Sequence, residues 1–392
     1  MKRFLDLGLQ PLANSYIKKN NIKLKEKKFR LSVGFDKKKY LVSILKTVSK
    51  EMMFNKNYPY KSSESKTMQN SFKNLAIKIK KKYKPNLIVE IGSNDGAFIY
   101  NFKRKNVIGV EPCKNLAKKT IKKNYKTYPE YWDTNLSKKI SKIGKADVIY
   151  SANTLSHIEN LDEVFKAINI LLSKNGILII EDPSLLQCIK NNAYDQFYCE
   201  HIYLFSSISL KKIISKYNFE IFDIENLETH GGSNRYFIKR KNCKNLKIKN
   251  SVKKEIKKEI QYGLKNFSTY KNFSNRVILS KKKLQKIFNK LKIKKKKIIG
   301  YGATAKSCTI LNYCKIDNKF IDYFYDTTSY KINKYLPGSK ILIKKYKKLN
   351  INNVDFVYLG AWNFKKEIFN KEKNFIKKGG KFITHIPTPR II

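Results

Sequence analysis

Apolar runs and polar breaks alternate through the middle of the chain. Asn86–Ile91 is a short β-branched run that ends in Gly92-Ser93-Asn94-Asp95-Gly96. A helix-like segment follows, then a second run, Val107-Ile108-Gly109-Val110-Glu111. Asp147-Val148-Ile149-Tyr150 reads as a third strand and Gly176–Glu181 as a fourth, with helical spacing from about Asn160 to Leu172 between them. Strands alternating with helices of this length predict an α/β fold, its sheet mostly parallel and covered on both faces. A helical stretch ending near Pro85 precedes this unit, after a turn-rich loop at Asn57–Ser65. Residues 1–50 are Lys-rich and weakly patterned. Residues 240–297 carry Lys, Glu and Leu at helical spacing, which predicts a long linking helix or a helical pair. A second α/β pattern starts at Ile298, with strands expected at Ile298-Ile299, Ile321–Tyr325, Val354–Leu359 and Lys381–Ile386. The expected units are therefore 1–55, 56–240, 241–297 and 298–392.

Composition adds limits. Of 392 residues, 42% are hydrophobic and 13% aromatic, enough to fill real cores. No apolar run nears the roughly 18–20 residues of a membrane span, and no signal peptide is recognised. Six cysteines, at 113, 188, 199, 243, 308 and 314, include no C-x-x-C pair. Neither a disulfide framework nor a zinc site is expected, and the reading is a cytoplasmic protein without a membrane partner. The net charge of +54 raises the question of nucleic acid. Yet only seven of the 84 basic residues are arginine, the residue that base-edge and bidentate phosphate recognition favour. The lysines are also spread along the chain. Biased composition explains them better than a nucleic-acid surface, although an anionic small substrate would still be attracted.

Two glycine loops carry the first candidate chemistry. Glu90-Ile91-Gly92-Ser93-Asn94-Asp95-Gly96 follows a strand, and Glu111 lies nineteen residues after Gly92, where an acid can accept from ribose hydroxyls. The spacing resembles the E-x-G-x-x-x-G loop of class I S-adenosylmethionine-dependent methyltransferases. The second loop, Gly300-Tyr301-Gly302-Ala303-Thr304-Ala305-Lys306-Ser307, has G-x-G-x-x-A spacing with Asp322 and Asp326 about 20 residues on. That pattern alone favours a dinucleotide, and Lys306 near a helix start favours an anion.

Histidine is scarce, with residues 157, 201, 230 and 385 only. Tyr198-Cys199-Glu200-His201 sets a phenol, a carboxylate and an imidazole within four residues. Glu200 is expected to tune the imidazole, and Tyr198 to hydrogen-bond a developing oxyanion. Asn153–His157 follows the third strand at its carboxyl edge. His230-Gly231-Gly232-Ser233 is a polar turn whose amides could face a substrate. His385 reads as structural.

Together these segments resemble the sugar C-methyltransferases that act on nucleotide-linked 4-keto-deoxysugars. The likeness runs from Phe4–Ser15 through Tyr58–Ser63, Glu90–Gly96, Asn153–His157, Glu181-Asp182-Pro183, Tyr198–His201, Thr229–Ser233, Gly300–Ser307, Tyr325–Thr328 and Ala361–Phe364 to Gly379–Ile383. It implies a class I methyltransferase Rossmann-like domain, a second Rossmann-like α/β domain at the C-terminus and an N-terminal lobe. It implies S-adenosylmethionine at Tyr60, Ser63, Glu90, Gly92, Ser93, Asn94, Asp95, Gly96, Glu111, Pro112 and Asn153. It implies His201 as the base, with Glu200, Tyr198, His157 and Tyr60 around it, Tyr60 being preferred to Tyr58. A nucleotide sugar is implied at Asp182, His230, Gly231, Gly232, Ser233, Tyr301, Gly302, Ala303, Thr304, Lys306, Ser307 and Asn363. The family's N-terminal lobe binds zinc through paired cysteines, whereas the first cysteine here is Cys113 and the second pair would fall near Phe35 and Lys38. A reduced lobe without metal is therefore expected, in a monomer or weak homo-oligomer. The rival readings are an NAD oxidoreductase using the second loop, a nucleic-acid methyltransferase or binding protein, and a catalytically dead binding module.

Overall fold

The β-branched run Ile88–Ile91 is buried along its whole length and lies inside a seven-stranded sheet in the computed structural model, which describes residues 1–392. In order across the sheet, the strands are Phe219–Leu227, Ser233–Arg240, Leu172–Pro183, Ala146–Ala152, Ile88–Ile91, Val107–Val110 and Thr127–Tyr128. The last five pair in parallel, and Ser233–Arg240 runs antiparallel to both neighbours. Chain order reverses at Ile88–Ile91, so a crevice opens at the carboxyl ends of these strands. Helix Lys66–Tyr83 covers one face. It buries Met68, Phe72, Leu75, Ala76 and Ile79 on one stripe, and the Ser65 side chain accepts from Met68 N at its start. Helix Leu161–Leu171 covers the other face and is capped the same way by Asn160.

The segment after Gly96 is not a helix. It forms two short 3₁₀ turns, Ile99–Asn101 and Arg104–Asn106. Asn101 Nδ2 donates to the carbonyls of Ala97 and Phe98, offering the backbone an alternative to helical bonds, while Phe98 and Ile99 are drawn fully into the core.

The C-terminal sheet has six strands: Leu342–Lys345, Tyr323–Asp326, Ile298–Tyr301, Phe356–Leu359, Lys381–Thr384 and Arg390–Ile391. All pairs are parallel except the last. The second glycine loop leaves Ile298–Tyr301, again a point where chain order reverses. Thr304 and Ser307 form a reciprocal cap at the start of helix Ala305–Tyr313.

The first 50 residues are better ordered than their pattern indicates. Lys2–Pro11, Lys28–Asp36 and Leu41–Ile44 form an antiparallel sheet that Tyr203–Leu204 completes. Register shifts between Arg3 and Leu5 and between Asp6 and Leu9 break the two-residue alternation that would have marked the first strand. Residues 240–297 form a helical pair, Asn250–Gln261 and Phe267–Ile293. The longer helix buries Tyr270, Phe273, Val277, Ser280, Leu284, Phe288 and Leu291 on one stripe. It packs between two units: Phe35 of the N-terminal sheet stacks on Tyr270 at 4.4 Å, and Tyr358 of the C-terminal sheet meets Phe288 at 5.8 Å. Phe35, at a position where the resemblance places zinc ligands, is thus a core aromatic. No group of three or more His, Cys, Asp or Glu is placed to hold a metal, all six cysteines are buried and free, and no helix is long and apolar enough to cross a membrane.

Candidate active site

A cavity of about 860 Å³ lies where the three sheets meet, and both glycine loops open onto it. In the first loop, Gly92 N and Ser93 N donate to Val110 O, folding the loop back over the neighbouring strand. Gly92 has φ +74°, and a Cβ there would sit 2.2 Å from Thr154 Oγ1, so only glycine fits. Glu111 accepts from Asn94 N on one oxygen and Cys113 N on the other, both at 2.8 Å. A carboxylate has lone pairs beyond these two, so it can still receive ribose hydroxyls. Burial pushes the Glu111 carboxyl up, against the pull of those amides. Glu90 is pushed well up by burial, with Glu111 and Asp95 adding to it, and its Oε2 has no partner. Asn153 Oδ1 is buried and unpartnered as well. Acceptors without donors around this loop fit the amino and hydroxyl groups of S-adenosylmethionine.

Tyr60, Glu90, Gly92, Asn94, Glu111, Pro112 and Asn153 line the cavity. The other four residues expected there do not line it. Ser93 is buried against the neighbouring strand, where a Cβ on Gly109 would lie 2.7 Å from its Oγ. Gly96 turns beneath Tyr100 and Thr120. Ser63 donates through N and Oγ to Asp95, which also pairs with Lys119, and Ser62 N donates to Asn94 Oδ1. These contacts strap residues 60–64 onto the loop.

The acid/base cluster faces the same cavity. His201 Nδ1 lies 2.7 Å from Gln196 O, a pure acceptor, so Nδ1 carries the hydrogen. Nε2 is then the acceptor and receives the Tyr198 hydroxyl at 2.7 Å. Burial pushes the His201 imidazole well below its usual range, with His157 and Lys306 adding to it, and burial drives the Tyr198 phenol well up. The pair therefore stands as a neutral imidazole and a neutral phenol. His157 stacks on His201 with centroids 5.1 Å apart, and burial lowers it to about 4; His230 is lowered to about 3 by burial and by Lys306. His157 Nε2 and His230 Nε2 are buried without partners.

Glu200 does not pair with His201. It accepts from Asn14 Nδ2 at 2.7 Å and Tyr58 OH at 2.9 Å, and burial raises it to about 7. Adjacent residues in this tight turn point different ways. Tyr58 is thereby committed, whereas the Tyr60 hydroxyl makes no hydrogen bond within the chain and lies in the cavity.

On the C-terminal side, Tyr301, Gly302, Thr304, Lys306 and Asn363 line the cavity with His230. Ala303 and Ser307 do not: Ala303 N donates to Asp326, and Ser307 caps the helix and donates to Gly302 O. Asp182 is buried behind the site, where it accepts from Ser156 Oγ beside His157 and is raised to about 7 by burial. Gly231 packs on Trp362, where a Cβ would lie 2.2 Å from the ring, Gly232 packs on Gln187, and Ser233 Oγ donates to Thr229 O. Gly231, Gly232 and Ser233 therefore face protein, while His230 in the same turn faces the cavity. Asp326, the acid that a dinucleotide reading needs, accepts from Ala303 N and Thr328 N and pairs with Lys331; Asp322 is exposed and outside the cavity.

Several lining residues had no assigned role in the sequence: Asn14, Tyr16, Lys331, Tyr346 and Lys371. Asn14 and Tyr16 follow the first strand of the supposedly reduced lobe, and the Tyr16 hydroxyl donates to Ala303 O. Asn14 falls within a segment that the resemblance covers, but only the fold brings it to Glu200.

Comparison with known proteins adds five matches. Residues 65–224 match a family model described as a methyltransferase domain, and residues 228–387 match one described as the C-methyltransferase C-terminal domain. C-methyltransferase NovU from Streptomyces niveus is 27% identical over 99% of this chain and 93% of its own length. Among solved structures, magnesium protoporphyrin IX methyltransferase ChlM from Synechocystis PCC 6803 with bound SAH covers 44% of this chain and 83% of its own at 15% identity and TM-score 0.34. The YcgJ protein from Bacillus subtilis covers 44% and 99% at 13% identity and TM-score 0.34. Structural likeness at this level says nothing about substrate.

Proposed function

We propose that this S-adenosylmethionine-dependent methyltransferase, similar to C-methyltransferases in both matched parts of the chain, methylates C3 of a nucleotide-linked 4-keto-deoxysugar through an enolate. The observation that carries this reading is the convergence of both glycine loops and a neutral imidazole on one cavity. When bound, S-adenosylmethionine supplies an electrophilic methyl group.

Carbon needs to become nucleophilic to accept it, and a ketone at C4 acidifies the hydrogen on C3. His201 accepts that proton at Nε2, the nitrogen left free by the Gln196 contact. The Tyr198 hydroxyl, released from Nε2, turns to the enolate oxygen, and Tyr60, which also lines the cavity, adds a second donor. Glu90, Glu111 and Asn153 hold the cofactor's polar groups. Lys306, Thr304, Tyr301 and Asn363 face the nucleotide diphosphate, with residues 298–392 forming that subsite. Holding both reactants in one closed space supplies much of the rate.

The base is tested by hydrogen exchange. Incubated in D₂O with a 4-keto-6-deoxysugar nucleotide and no methyl donor, the enzyme exchanges the C3 hydrogen. His201→Asn is expected to lose this exchange by at least about 100-fold while retaining S-adenosylmethionine affinity. Undiminished exchange in the variant removes His201 from the role.

A further inference from the structure

Outside the cavity's lining, the carboxylate of Asp195 is fully buried in the turn Tyr194–Gln196. Its Oδ2 accepts from the Trp362 indole N–H at 2.5 Å and from His385 Nε2 at 3.1 Å. Both donors belong to the C-terminal unit, whereas Asp195 belongs to the segment that carries the base. Burial alone would raise this carboxyl, but His385, Lys306 and Trp362 together outweigh it and hold the group below its usual value. His385 Nδ1 receives the Tyr358 hydroxyl at 3.0 Å, so the donors stand in a fixed row.

The next residue is Gln196. Its carbonyl holds His201 Nδ1, and its side-chain amide donates to His230 O at 2.7 Å, which Lys306 Nζ also reaches at 3.0 Å. Trp362 closes the set: Gly231 packs against its ring, and the Lys306 ammonium lies 5.2 Å from the ring centroid.

We propose that Trp362 and His385 are positioning residues for methyl transfer: by anchoring Asp195 across the domain boundary they fix the Gln196 carbonyl, and with it the Nδ1–H tautomer and orientation of His201. The C-terminal unit then completes the base as well as holding substrate. A turn whose carboxylate lost these donors would leave an unpaired charge in the core and let the carbonyl drift. Drift of the carbonyl frees Nδ1 and lets the neutral ring exchange tautomers. The kinetic consequence rests on the reading of His201 as base, whereas the tautomer does not.

The test uses the full-length protein, ¹⁵N-labelled at histidine, with the His201 imidazole signals assigned by their loss in His201→Asn. The wild type shows one neutral tautomer protonated at Nδ1. Trp362→Phe keeps an aromatic ring and removes the N–H; His385→Leu removes the other donor; His385→Gln restores an N–H close to the Nε2 position. Trp362→Phe and His385→Leu are expected to give mixed tautomers and about a tenfold lower kcat with KM for the nucleotide sugar nearly unchanged, and His385→Gln to recover both. Thermal melts establish that each variant is folded. A single Nδ1–H tautomer in folded Trp362→Phe and His385→Leu overturns the proposal. A shifted tautomer with undiminished turnover leaves the anchor standing and contradicts instead the role of His201.

Discussion

Protonation at His201 is decided by neighbours that the sequence separates from it. Gln196 lies five residues away and supplies a carbonyl, so the ring is locked with Nε2 facing Tyr198. Four histidines in 392 residues made this ring a candidate from sequence, and Tyr198, three positions away, was legible with it. Glu200 was misread because adjacency along the chain is not contact. Its carboxyl turns to Asn14 and Tyr58, groups more than 140 positions distant, and no local pattern reports such a pairing. Tyr58→Phe removes one of those two donors from a buried carboxylate. The expected cost is about 1–3 kcal/mol of stability, measured by urea unfolding at neutral pH. An unchanged midpoint would mean that Glu200 does not depend on this contact.

Elements were legible where their periodicity was intact. Ile88–Ile91, Val107–Val110 and the Ala305–Tyr313 helix follow their apolar pattern, whereas the bulged first strand and the Asn101-interrupted turns after Gly96 do not. The helical pair shows how the elements are locked. Glu259, on Asn250–Gln261, accepts from Ser207 N and Ile208 N and so caps the neighbouring helix Ser207–Ile214. Burial raises Glu259 to about 7, above the 4.5 of an unfolded chain. A group raised in this way adds its full stability below about pH 4.5 and loses it as pH rises through about 7. Glu259→Gln should therefore flatten the fall in stability between pH 5 and pH 8, by about 1–3 kcal/mol relative to wild type. Parallel urea titrations at the two pH values check this, and identical slopes would contradict it. On the longer helix, Tyr270 holds Phe35 by stacking. Phe35→Ala is expected to cost about 3–5 kcal/mol, read as a lowered denaturation midpoint; a loss below about 1 kcal/mol would mean that the N-terminal sheet is held elsewhere.

The whole molecule brings three sheets around one cavity, and this arrangement is what motif reading reached only by resemblance. The two glycine loops lie some 200 positions apart, and each alone fits a different cofactor. Only their opening onto a shared space favours a donor and an acceptor held face to face over two separate nucleotide sites. The N-terminal sheet proved part of this assembly through Asn14 and Tyr16, although its lysine-rich sequence gave little hint of order. The +54 charge also gains a local meaning, since Lys306, Lys331 and Lys371 line the cavity where an anionic diphosphate would lie. The most direct test of the account is the product itself. The enzyme is incubated with a 4-keto-6-deoxysugar nucleotide and S-adenosylmethionine carrying a ¹³C methyl group, and the product is read by mass spectrometry and NMR. The account predicts one labelled methyl bonded to C3 of the sugar, and a label on oxygen or nitrogen, or no transfer to any keto-sugar nucleotide, would contradict it.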